Sequence, residues 1–147
     1  MNRADPGAVA RARGQGPVVC AVSVGGGLGA AARYAAGLWW PTPGHAFPWT
    51  TLGINAVGCA LIGVLLVTIA ERGTPHPLAR PFLGTGVLGG FTTFSTYAVD
   101  IQQRLAGGHP AAALGYLAGT LAASLAAVWL AATATRRLLA PGPGRQG

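Results

Sequence analysis

Charge is what this sequence has least of. Only 9% of its 147 residues are charged, against about 25% in an ordinary soluble domain. Lysine is absent, and the acids are Asp5, Glu71 and Asp100 alone. A water-facing globular surface cannot be built from so few charges. Cysteine is equally scarce: Cys20 and Cys59 lie in apolar stretches without metal-ligand spacing and read as small buried hydrophobes. His45, His76 and His109 stand beside proline or glycine, which places them in loops rather than in a metal set. Neither a nucleophile–base pair nor a metal-ligand cluster emerges, so enzymatic chemistry has no residues to run on.

What the chain has instead is apolar mass and small residues. It is 51% hydrophobic, has 24 glycines and a mean hydropathy of +0.46. That composition predicts close-packed membrane helices in one small integral membrane domain. The net charge of +7 comes from ten arginines that flank apolar spans. They read as topology signals and lipid-headgroup contacts, because no soluble segment carries a basic stripe with interleaved aromatics for nucleic acid.

The expected organisation is a basic N-terminal tail (1–17), a membrane domain (18–138) and a C-terminal tail (139–147), with spans at about 18–40, 50–70, 82–101 and 111–134. In the first span Gly25 and Gly29 form a close-packing face with Arg33 nearby. An intramembrane arginine is costly and should meet a partner, a cavity or the interface. Trp39, Trp40 and Trp49 anchor a proline-rich turn at the membrane interface. The second span has one strongly polar residue, Asn55, one helical turn from Thr51. In the fourth, Tyr116, Thr120 and Ser124 recur every four residues as a hydroxyl stripe beside Gly115 and Gly119. Asp100 and Arg104, four apart near the end of the third span, can pair along the helix or simply form a solvated end.

The third span is the centre of the chain. Gly84, Gly86, Gly89 and Gly90 weaken a helix, Thr92 and Thr93 are β-branched, and the Ser95 and Thr96 hydroxyls compete for backbone hydrogen bonds. A break at about Gly89–Thr93 is expected. Broken backbone at membrane depth needs protein, an ion or water to satisfy it; the plainer reading is a kink that lets helices pack closely. Four spans put both termini on one side, where eight of the arginines collect, and the positive-inside rule makes that side cytoplasmic.

Three motifs in order, Gly26-Gly27-x-Gly29-Ala30-x-x-Arg33-Tyr34, Thr51-Leu52-x-x-Asn55-x-x-Gly58 and Gly89-Gly90-Phe91-Thr92-Thr93-Phe94-Ser95-Thr96-Tyr97, resemble the Fluc (CrcB) fluoride channels of microbial membranes. The resemblance covers nearly the whole membrane part. It implies an all-α, dual-topology dimer of two antiparallel four-helix subunits in the plasma membrane, with two fluoride pores. It also implies one structural sodium ion, not transported, held by the backbone carbonyls of Gly89 and Thr92. Asn55 would donate its amide to fluoride, Phe94 and Tyr97 would present ring edges, and Thr51, Tyr116, Thr120 and Ser124 would continue a polar track, with Arg33 in a vestibule or structural role.

Two departures from the family pattern stand out. Tyr97 replaces a usual phenylalanine, and the arginine bias departs from the balanced flanking charge that a dual-topology homodimer needs, so an oppositely oriented homologous subunit is the expected partner, with self-pairing the alternative. The competing reading, a small proton-coupled drug exporter, needs an intramembrane carboxylate that the second span lacks. A purely structural membrane protein would leave the hydroxyl stripe unexplained.

Overall fold

The computed structural model describes residues 6–140 except 45 and 75, with side chains from residue 15 onward. The expectations for Arg3, Asp5, Arg145 and His45, and for most of the C-terminal tail, therefore lie outside the described residues. Among the described residues every regular element is helical. Helix α1 spans Pro6–Trp39 and α2 spans Trp49–Arg72. A π-wound helix over Pro81–Leu88 runs into the short α3, Gly89–Phe91, and then come α4, Ser95–Ala106, and α5, Pro110–Leu139.

Three of these helices are long and apolar enough to cross a bilayer: residues Gln15–Trp39 of α1, α2 and α5. The third hydrophobic segment does not qualify as one helix, because it is divided into pieces. Helix α1 also begins well before the expected span, at Pro6, and so takes in most of the stretch assigned to a tail. Its sequence explains this: proline suits the first turn, and Ala8, Ala10, Arg11, Ala12 and Arg13 are good helix formers.

Small residues set the packing. A Cβ on Gly25 would lie 2.5 Å from the Phe82 carbonyl oxygen, and one on Gly29 would overlap the Val87 carbonyl. Gly90 in turn lies against the Gly26 carbonyl. Higher numbers in α1 thus meet higher numbers in the third segment, so the two run parallel at backbone contact. On the other side of the subunit Gly63 of α2 approaches Val128 of α5, its Cβ position lying 2.6 Å from that carbonyl. Asn55 and Thr120, nearer the starts of the same helices, line one groove, so α2 and α5 are parallel as well. Alternate segments running parallel is the pattern of an up-down-up-down bundle.

Van der Waals contact between backbones holds such helices together where lipid offers no hydrophobic contrast. Gly29→Val is accordingly expected to destabilise the subunit by about 2 kcal/mol or more, since the added atoms meet backbone that cannot move aside. Thermal unfolding in detergent checks this; a melting temperature equal to wild type would contradict the packing.

Most of the large apolar side chains point outward, with Ile54, Val67 and Leu88 among the few that are buried. Among the described residues Tyr116, at 0% exposure, is the one large side chain fully enclosed, whereas Leu28, Leu61, Leu125, Trp129 and many others are exposed. A surface of this kind is stable in lipid and not in water. Cys20, expected to be buried, is exposed, and Cys59 is half-buried; Cys20 lies on the outward side of α1, where a small apolar side chain meets lipid at no cost.

Candidate functional site

Helical winding stops after Phe91. Thr92 is extended (φ −72°, ψ 154°), and α4 restarts at Ser95. The glycines account for the approach to this point: Gly89 N–H reaches back five residues to the Gly84 carbonyl, the wide winding of a π-turn.

Every polar group freed here must be satisfied, because lipid supplies no partners. Asn55 does most of this. Its Nδ2 donates to the Thr93 carbonyl at 2.9 Å, and Thr93 N–H donates to its Oδ1 at 2.8 Å. One buried amide on α2 therefore replaces both helical bonds that Thr93 has lost. Thr93 Oγ1 accepts from Thr96 N–H at 3.1 Å, satisfying a donor in the first turn of α4 that has no partner within the helix. Before the interruption, Leu88 O accepts from both the backbone N–H and the hydroxyl of Thr92, each at 3.0 Å. Arg33 Nε donates to Gly90 O at 3.2 Å. Its partner at membrane depth is thus a carbonyl of the third segment.

Three carbonyls are left over. Among the described residues no hydrogen bond reaches Gly89 O, Phe91 O or Thr92 O. Neutral oxygens without donors suit a hard cation.

Asn55, Thr93, Phe94, Tyr97, Thr120 and Ser124 line a groove of about 590 Å³ between α2, α4 and α5. The Thr120 hydroxyl, on a residue only 4% exposed, has the Tyr116 hydroxyl nearby but no partner at hydrogen-bond geometry. A buried hydroxyl without a partner is uncommon and calls for an explanation. One of the two Asn55 amide hydrogens is likewise uncommitted, as Nδ2 makes a single bond. Phe94 is 80% exposed on the subunit surface, and its ring centroid lies 5.9 Å from that of Tyr97.

Not all the expected residues gather there. Thr51 lines a second cavity of about 470 Å³ with Arg33, Thr50, Thr93 and Thr96. Thr93 lies between the two cavities and borders both. Tyr116 sits beyond the end of the groove, its O–H donating to Asp100 Oδ2 at 3.1 Å. Arg104 does not pair with the Asp100 carboxylate; its Nη1 donates to the Asp100 backbone carbonyl at 3.0 Å. The sequence puts Thr93 in the expected break but gives it no site role, because its contacts with Asn55 span 38 positions and leave no local signal.

Tyr97 donates its hydroxyl to the Leu117 carbonyl at 3.0 Å. The phenol is thereby tied to α5 and not offered to the groove, while the ring stays beside Phe94. Tyr97→Phe is expected to keep ion flux within about fivefold, since one neutral hydrogen bond contributes only ~1 kcal/mol. A flux assay on the purified variant checks this, and loss of flux would mean that the hydroxyl itself serves the path.

Fold and site together define a small multi-pass helical membrane protein whose interrupted third segment is clamped by a polar residue beside a hydroxyl-bearing groove. The family profile described as CrcB-like protein, Camphor Resistance (CrcB), matches residues 20–132. The chain is 65% identical to the fluoride-specific ion channel FluC 1 of Streptomyces coelicolor, over 86% of this chain and 82% of the relative. It is 63% identical to FluC 2 of Streptomyces avermitilis, over 74% and 68%, and 52% identical to FluC 2 of Nocardia farcinica, over 81% and 85%. This chain belongs to the CrcB family, whose relatives are named as ion channels and not as enzymes.

Proposed function

We propose that this protein is a fluoride-selective ion channel of the plasma membrane, which lets cytoplasmic fluoride leave down its electrochemical gradient and so limits its toxicity. The observation that carries the reading is the groove itself. The free Asn55 amide hydrogen, the unpartnered Thr120 hydroxyl, Ser124 and the Phe94 ring all border one groove, in a chain 65% identical to a fluoride-specific channel. Fluoride is small and strongly hydrated. A pore must replace its water with hydrogen-bond donors, and the positive edge of an aromatic ring can add to them.

The active unit in this proposal is an antiparallel dimer. Gly89 and Phe94 are exposed on the single subunit, and the Gly89 and Thr92 carbonyls lack donors there, which is costly in lipid. A second copy laid across this surface would cover it, and the carbonyls of both copies would hold a structural sodium ion. An ion held there would supply fixed positive charge and help tie the two subunits together. Arg33 faces the cavity with Thr50 and Thr51 and would form a vestibule that draws anions in. Both termini lie in the cytoplasm in the favoured orientation, by the arginine bias. The partner is a second copy or an oppositely oriented homologue; numbered names such as FluC 1 and FluC 2 fit organisms with more than one such chain. Cysteine-accessibility mapping that finds equal populations of the two orientations would remove the case for a homologous partner.

Fluoride release from liposomes carrying the purified chain, followed with a fluoride electrode and a chloride control, tests the function. Fast release that excludes chloride is expected. If neither this chain alone nor its mixture with an opposite-topology homologue releases fluoride, the reading fails.

A further inference from the structure

Arg104 is absent from the motifs that carry the family resemblance, and the groove described above does not include it. Yet it makes more cross-segment contacts than any other charged residue described. From α4 its Nη2 donates to the Ala46 carbonyl in the α1–α2 turn, while Nη1 holds the Asp100 carbonyl of its own helix. The guanidinium carbon lies 5.4 Å from the centre of the Tyr116 ring and 6.0 Å from that of Phe47. Phe47 meets Tyr116 edge-on, 5.3 Å between centroids at 89°. On its remaining sides Tyr116 has the Tyr97 ring at 5.4 Å and the Asp100 carboxylate at its hydroxyl.

Tyr116 is the first residue of the hydroxyl stripe, and it is completely enclosed. A cation over an aromatic face is attracted by the ring quadrupole, most strongly where water is excluded. The same guanidinium, by capturing Ala46 O, draws the turn and Phe47 down over the ring. Without Arg104 the turn loses this tie to α4, and Tyr116 keeps its hydroxyl bond and the Tyr97 ring but loses the cation beside its face.

We infer that Arg104 is a positioning residue for ion permeation: it fixes the Tyr116 ring, one helical turn before Thr120 on α5, and through that ring holds the groove-lining face of α5 in place. The inference rests on the reading of the stripe as the fluoride path.

Its test is single-channel recording in planar bilayers under symmetric fluoride, because a folding defect changes the number of channels and not the current through each. Arg104→Gln is expected to lower unitary fluoride current about tenfold, and Arg104→Lys, which keeps a cation over the ring, to restore most of it. Wild-type unitary current in Arg104→Gln overturns the inference, as does a lysine variant no better than glutamine. Should the glutamine variant fail to assemble, Phe47→Leu decides the matter: it removes the edge-on contact while leaving Arg104 in place. A lowered unitary current supports the inference there, and an unchanged one overturns it. Absence of fluoride current in the wild type would instead overturn the reading of the path, so the two failures are distinguishable.

Discussion

Asn55→Asp should abolish fluoride flux. The substitution keeps an acceptor for Thr93 N–H but removes the donor to Thr93 O, and it sets a carboxylate against that carbonyl in a site 9% exposed. A buried acceptor left without a donor costs about 1–3 kcal/mol. The added charge acts on the permeating anion as well. Two like charges about 4 Å apart repel by roughly 4 kcal/mol at the effective dielectric of a partly buried site, which by itself amounts to ~1000-fold in occupancy. Asn55→Ala separates the two effects, since it removes the clamp without adding charge. Its flux should fall less than that of the aspartate variant while its melting temperature falls by a similar amount. Liposome efflux with parallel thermal unfolding measures both, and wild-type flux in Asn55→Asp would remove Asn55 from the path.

Phe94→Ile is the second large effect, and it has the opposite profile. Phe94 is 80% exposed on the subunit, and among the described residues its ring pairs only with Tyr97. Replacing it costs the isolated fold little, because few contacts within the chain are lost. What disappears is the aromatic quadrupole, whose positive edge an aliphatic side chain cannot offer to an anion. The expected outcome is a subunit with near-normal yield and melting temperature but fluoride flux lowered at least about tenfold. An isoleucine variant that releases fluoride at the wild-type rate would show that ring chemistry plays no part.

The contrast between these residues shows how far sequence patterns reach. An all-helical membrane protein was legible from apolar run length and the want of charge, and the close faces of α1 followed from Gly25 and Gly29. The limits of that reading are physical. Hydropathy measures transfer into lipid and is silent on winding, so it treats the third segment as one span although Gly89 N–H bonds to Gly84 O. The helix-forming run after Pro6 is polar enough to look like a tail and regular enough to extend α1. Periodicity gives a residue's face but not its neighbour. Thr51 and Asn55, one turn apart, are offset by about 40°, and Thr93 stands between the cavities they line. Likewise Tyr116, Thr120 and Ser124 share a stripe, but Tyr116 is enclosed by Phe47 and Arg104, which arrive from a loop and another helix. Contacts such as Asn55 with Thr93 or Arg104 with Ala46 depend on how whole helices dock, and no local window contains both partners.

The central claim is that the groove beside the interrupted segment passes fluoride and rejects other halides. A planar bilayer recording with fluoride on one side and chloride on the other tests it most directly, because the reversal potential reports relative permeability without depending on how many channels insert. The account predicts current that reverses at a potential set by fluoride alone. Current that reverses near zero, or that persists when chloride is the only anion, would contradict it.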